Sequence, residues 1–343
     1  MIRRIERQLR HLLQGPARST TFSAACQRDA YLQAQWLARA FYIASLAVAF
    51  RLVRESYVAV FESPLTEPLW PVFWMRWVEP LAAARVIVLA LVVSAMACVV
   101  APASRLARVA FAVLFVEAVA LRFSFGYFYH HYHIWLWLAV AFAVFPVETK
   151  WRRHQGMRPA HRHRSLTAFF YLQLLVGLFY SLSGLWKLVR GFVTPPGYMS
   201  TFAPDALPAL VTERWLLNGY ETPLQPFFIG HFWLGLPSQL FVVYVELFTL
   251  VAVFRPAMHR PFGVALMTFH FMVWLLMGIQ FQFQPMMLAL VFVFSPFASN
   301  AGSLLRNLRQ LPLFGDLAFL LHQLVQRPRR GWKGSHRPDP APR

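Results

Sequence analysis

Apolar residues in this chain run in long blocks, separated by short polar or basic segments that recur along nearly its whole length. Spans are expected near 39–61, 81–101, 108–128, 130–147, 165–190, 238–254, 262–282 and 284–298, each long enough for a ~30 Å hydrocarbon core once tilt is allowed. The pattern predicts an all-α, polytopic membrane bundle of about eight helices. It divides the chain into an N-terminal segment 1–38, a transmembrane domain 39–298 and a C-terminal segment 299–343.

The flanks follow a different pattern. "MIRRIERQLRHLLQG" sets Ile2, Ile5, Leu9 and Leu12 on one helical face with arginines opposite, which predicts an interfacial amphipathic helix rather than a cleavable leader. "SLLRNLRQLPLFGDLAFLLHQLVQ" repeats the theme, so a surface helix is expected there, followed by a basic, Pro-rich and disordered tail. Between the spans, the aromatic-rich loop 191–237 predicts short interfacial helices covering a cavity.

Composition agrees with the blocks: 58% of residues are hydrophobic, 14% charged and 16% aromatic. A soluble domain does not carry that balance. The net charge of +19 suggests nucleic acid until it is mapped on the loops. With both termini cytoplasmic, 25 of the 33 Lys and Arg fall on the inner side, leaving Arg76 and Arg214 outside among carboxylates. The basic charge is therefore mainly topological, and no nucleic-acid partner is implied. Cys26 and Cys98 are too far apart in the expected topology for a disulfide.

Several ionisable residues nonetheless lie within the spans: Arg51, Arg54, Glu55, Arg85, Glu117, Arg122, Lys187 and Glu246. Charges there are expected to face the bundle interior as a buried network. Arg51 and Glu55, four apart, can pair along one helix, whereas Glu117 and Arg122 each need a partner elsewhere.

"YSLSGLWKLVRG" concentrates the chemistry. Helical spacing places Tyr180, Gly184 and Lys187 on one stripe beside a small-residue stripe of Gly177, Ser181 and Gly184. Small residues let a neighbouring helix or a flat ligand approach the backbone. An amine ending such a partly dry groove loses charge stabilisation and can act as a general base, although it can equally snorkel to the outer headgroups. In "YFYHHYHIWLWL", His130 and His133 share a helix face, which suits hydrogen bonding or acid/base work better than metal, since no carboxylate or thiol stands at ligand spacing. In "TFHFMVWLLMGIQFQFQPMM", His270 lies within the seventh span. The alternating Gln280, Gln282 and Gln284 predict an unwound stretch before Pro285 whose amides line a polar cavity near Lys187.

"ASLAVAFRL", "YHIWLWLAVAF", "SLSGLWKL" and "FHFMVWLLMGIQF…MMLALVFVFSP", in that order, resemble the HTTM (horizontally transferred transmembrane) family. That family is similar to the membrane domain of vitamin K-dependent gamma-carboxylase, and the likeness covers residues 40 to 300. It implies Lys187 as the base that deprotonates a quinol such as vitamin K hydroquinone, with His133 assisting. The departures are Tyr132 where the carboxylase has asparagine, and Trp186 where it has a second lysine. The chain also lacks the large lumenal region with which the animal enzyme engages protein substrates.

Three functions follow. The first is a carboxylase-like lyase or quinol-linked oxidoreductase acting on a quinol-like or lipidic substrate from the outer side. The second is a non-catalytic quinone- or lipid-binding partner of a redox protein. The third is a transporter or structural membrane protein.

Overall fold

The computed structural model describes residues 24–62, 67–126, 132–145, 147, 159–194, 199–298 and 310–326, and these form helices and connecting turns with no strand among them. The main helices are α1 (Ala24–Glu62), α2 (Pro80–Val100), α3 (Arg105–Phe123), α4 (His133–Val144) and α5 (Pro159–Phe192). They continue as α6 (Ala206–Asn218), α7 (Gln225–Gly230), α8 (Gly235–Val253), α9 (His259–Met277), α10 (Phe283–Leu288) and α11 (Phe314–Gln326). The expected amphipathic helix at residues 1–15 lies outside the described residues.

Among the described residues, five helical stretches are long and apolar enough to cross a membrane: Arg28–Ser56, Pro80–Val100, Arg162–Phe192, Phe232–Val253 and Pro256–Met277. The protein is thus a multi-pass helical membrane protein by length and composition, but the count of eight spans is not reached. Two of the expected spans are short helices, His133–Val144 and Phe283–Val293. At 1.5 Å per residue each covers less than about 20 Å, too little for a ~30 Å core. A third, α3, is 19 residues long but carries Arg105, Arg108, Glu117 and Arg122.

The first helix starts at Ala24, earlier than the apolar block alone predicts. Ala30, Tyr31, Ala34, Leu37, Ala38 and Phe41 are buried, a stripe at helical spacing that carries the core into the first turns of the span. The centre of the α1–α4 half is aromatic. Phe41 stacks on Trp135 and Phe142 with centroids 5.2 and 4.5 Å apart. Trp135 donates its indole N–H to Ser45 Oγ at 3.1 Å, so its one polar atom is satisfied. Arg108 is buried and donates to the carbonyls of Pro102 and Phe145 at 2.7 and 2.9 Å, closing the C-terminus of α4.

The other half joins α5 to α8, α9 and the last apolar helix. Ala289–Val293 is a π-helical turn continuing α10, whose widened backbone frees a carbonyl. Gln173 of α5 donates to that oxygen, on Val291, at 2.7 Å and to Ser295 Oγ at 2.8 Å. His259 Nε2 lies 2.9 Å from the Val253 carbonyl and therefore carries the proton, which makes Nδ1 the acceptor for Ser295 at 2.8 Å. This node ties α5, α8, α9 and the π turn together. As the loop composition predicts, the described residues between α5 and α8 include short helices, α6 and α7. Val211 and Phe228 from them pack with Leu276 and Met277 over the end of α9.

At the end of α8, the buried Arg255 donates to both carboxylate oxygens of Asp316 on α11, at 2.8 and 3.1 Å, and to the Gln310 carbonyl at 2.9 Å. Asp316→Ala leaves that guanidinium buried without its counter-charge, which costs about 3–5 kcal/mol. The expected outcome is a lower melting temperature in detergent with proteolytic release of the segment after Gln310. Unchanged melting and cleavage patterns contradict the clamp.

Candidate functional site

The close approach of α5 and α8 builds the first part of the site. Gly177, Ser181 and Gly184, the small-residue stripe, face α8 rather than a ligand. A Cβ on Gly177 would meet Val253 Cγ2 at 2.9 Å and Leu250 Cα at 3.2 Å, and one on Gly184 would run into the Leu247 backbone, with Cα at 2.8 Å. Ser181 fits the seam by donating to the Leu247 carbonyl at 2.8 Å and accepting from the Leu250 N–H at 3.0 Å.

One turn further on, Lys187 forms an ion pair with Glu246 of α8. Its amine also donates to Ser183 Oγ at 3.2 Å, and Ser183 reaches the same carboxylate oxygen at 3.4 Å. The Glu246 side chain is 3% exposed and that of Lys187 29% exposed, so the carboxylate is enclosed while the amine keeps one open side. There it lies 5.6 Å from the centroid of Phe269. The two charges, 59 positions apart, were each legible as intramembrane residues; their pairing was not.

Beside Phe269, His270 is buried and its Nε2 is 2.7 Å from the hydroxyl of Tyr180, which is also buried. His270 lines a cavity of about 580 Å³ together with Gln280, Phe281, Gln282 and the exposed face of α9, including Phe271 and Trp274. That volume falls in the usual range for small-molecule sites. Several of its lining residues, among them Val264, Phe271 and Trp274 of α9, are exposed and apolar. Residues 278–282 are non-helical, as the alternating glutamines predict, but the unwound stretch ends before Gln284, which is buried in α10 and is not among the residues lining the cavity. A smaller cleft of about 190 Å³ between α4 and α5 has only aliphatic and aromatic walls.

The far wall leads to a second polar group. Arg51 Nε contacts Glu55 Oε1 at 2.7 Å, the pairing that their spacing predicts, and Arg51 Nη1 donates to Gln282 Oε1. Tyr132 donates to Glu55 Oε2 at 2.9 Å, and Gln282 Nε2 donates to Gln280 Oε1 at 2.7 Å. Tyr132 and Ser183 were not candidates by sequence, since neither is charged and both act through partners distant in the chain.

The remaining candidates are scattered. Tyr180 stands behind His270 and Gly184 is closed off by α8, so neither is among the residues lining the cavity. His133 packs edge-on against Phe123, with centroids 5.5 Å apart, rather than joining the contacts of Lys187. His130 lies outside the described residues. Arg122 is buried and Glu117 half-buried on α3. Arg54 and Arg85 are exposed, which corrects the expectation that they turn inward. Arg85 is close to the N-terminus of α2, and a long guanidinium stem from there can reach the interface. Among the described residues, no group of three or more His, Cys, Asp or Glu is placed to hold a metal.

Comparison of the chain with protein-family models, curated proteins and solved structures found no match. The likeness to the HTTM family therefore rests on the quoted segments.

Gly184→Ala forces α5 and α8 apart at the level of the ion pair. Overpacking of this kind costs about 1–3 kcal/mol. The expected result is a lower melting temperature than Ser183→Ala, a substitution in the same turn that adds no volume. Equal melting of the two variants contradicts the close seam.

Proposed function

We propose that this protein is an HTTM-like membrane protein that binds a quinol-like or lipidic ligand in the cavity beside α9 and uses Lys187 as a general base. The observation that carries the reading is the cavity itself. A volume of about 580 Å³, apolar and aromatic walls and a few polar groups suit a ring-bearing, membrane-soluble molecule. A bound quinol supplies an acidic hydroxyl and a readily oxidised ring. The chain's own residues supply confinement and proton handling.

Glu246 makes the base role of Lys187 physically reasonable. A proton moved from the ammonium to the carboxylate leaves the pair net neutral, so a neutral amine can form without an uncompensated buried charge. Ser183 bonds to both partners and holds them through either arrangement. Lys187 is not itself a lining residue: it sits beside Phe269, whose chain neighbour His270 lines the cavity, so in this reading a proton reaches it along that wall. The topology belonging to this reading has both termini cytoplasmic and the Lys187 end of α5 outward.

The same pair also supports a second reading, a purely structural clamp between α5 and α8, because its polar atoms are mutually satisfied. Hydroquinone-dependent oxygen uptake by purified protein separates the two. If Lys187 is the base, both Lys187→Arg and Lys187→Ala lower the rate by about 10²–10⁴-fold, because guanidinium does not give up its proton at ordinary pH. A clamp tolerates Lys187→Arg, so full quinol-dependent activity in that variant rules out the base.

A further inference from the structure

The C-terminal helix α11 is fastened to the bundle at its first turn. Tyr244 of α8 donates its hydroxyl to the Pro312 carbonyl at 2.8 Å, and its ring lies 5.4 Å from that of Phe314. Arg255, in the turn joining the candidate spans Phe232–Val253 and Pro256–Met277, holds Asp316 and the Gln310 carbonyl. Tyr244 stands nine residues before Val253, about 13 Å of helix, so the segment bound at both points reaches along the flank of α8 rather than lying beneath the bundle.

The outward side of that segment is apolar. Leu313, Phe314, Leu317, Leu320 and Leu321 are each more than half exposed, and the four on the helix fall within an arc of about 120°. Beside a span, such a stripe meets the boundary of headgroups and acyl chains, the depth at which amphipathic helices lie in a bilayer.

Charge at this end of the molecule is predominantly positive. The starts of α1, α5 and α9 meet there, through Gln33 with the Phe294 carbonyl at 2.9 Å, Gln35 with Ser165 Oγ at 3.4 Å and His259 with Ser295 Oγ at 2.8 Å. They carry Arg28, Arg164 and Arg260, all exposed, against the exposed Asp29, while Asp316 is paired with Arg255. Directly after α11, residues 327–343 add six Arg and Lys and one acidic residue, Asp339.

We infer that α11 is an interfacial helix whose apolar stripe inserts into the leaflet beside α8, and that the basic residues around it select anionic phospholipid headgroups. The partner is the negatively charged surface of that leaflet, which complements this end of the protein. A zwitterionic leaflet covers the stripe but leaves the basic residues without counter-charge, so it holds α11 less firmly. The inference is independent of the cavity and of Lys187.

Hydrogen–deuterium exchange of the full chain in single-copy nanodiscs tests this, comparing discs of phosphatidylcholine alone with discs of an equal mixture with phosphatidylglycerol. The expected result is that amides of residues 314–326 exchange at least about fivefold more slowly in the mixed discs, and that high salt removes the difference. Leu317→Glu combined with Leu321→Glu, both on the outward side, is expected to abolish the protection of α11 in either disc while exchange in the spans stays as in the wild type. Arg329→Gln combined with Arg330→Gln is expected to reduce the difference between the discs and leave exchange in phosphatidylcholine unchanged, and it carries the test if the glutamate variant does not fold. Equal exchange of the wild type in the two discs overturns the anionic preference. Protection that survives both glutamates overturns the lipid contact itself. Protection that appears only when a disc holds two copies assigns the stripe to a second chain and overturns the inference.

Discussion

The interaction on which the site depends is the backbone contact of α5 with α8 at Gly184. Two helices meet this closely only where one of them has no side chain to keep them apart. The approach brings a glutamate and a lysine from different helices together, enclosing the carboxylate while the amine keeps one open side. Without it, Glu246 would be an isolated carboxylate in an apolar interior, a state that costs several kcal/mol. Ser181 and Ser183 then act as spacers with hydroxyls, one bonding to the α8 backbone and the other to the pair. The charge pair is thus a product of the packing and, once formed, one of its fasteners.

Much of this architecture was legible in one sequence because its signals are local. Helical spacing marks Gly177, Ser181 and Gly184 as a stripe, and four-residue spacing marks Arg51 and Glu55 as a pair that the structure forms. The glutamine alternation before Pro285 coincides with a non-helical stretch. What escaped is long-range. Nothing local to Lys187 names Glu246, nothing near Arg51 names Gln282, and the node of Gln173, His259 and Ser295 joins three distant segments. Span count failed for a different reason. Apolarity continues past helix ends into turns and π geometry, so blocks such as 130–147 and 284–298 look longer than the helices they contain.

The two polar groups on either side of the cavity behave differently. The Arg51 group is exposed at its glutamine end and reaches the cavity through amides, whereas the Lys187 group is not among the residues lining the cavity and adjoins it only where Phe269 precedes His270 in α9. In each, a residue with fixed hydrogen-bond capacity sets the orientation of one with variable capacity: arginine for the amides, a buried tyrosine for the imidazole.

The cavity exists because α9 stops early, and the cap over the bundle explains why it stops. Gly278 adopts a left-handed φ of +69°, which ends the helix, and a Cβ there would meet the Tyr220 hydroxyl at 2.8 Å and Asn218 Nδ2 at 3.0 Å. Asn218, at the end of α6, donates to the Met277 carbonyl at 3.0 Å and satisfies an oxygen that the broken helix exposes. The Leu224 N–H does the same for Leu275 at 3.3 Å. Residues 278–282 are half-buried or exposed rather than enclosed, and Gln280, Phe281 and Gln282 of this irregular stretch line the cavity, a setting in which non-helical backbone is tolerated within a membrane domain. The aromatic loop 191–237 is therefore more than an interfacial belt: by taking up the free carbonyls of α9, it stabilises the break that leaves Gln280 and Gln282 facing the cavity.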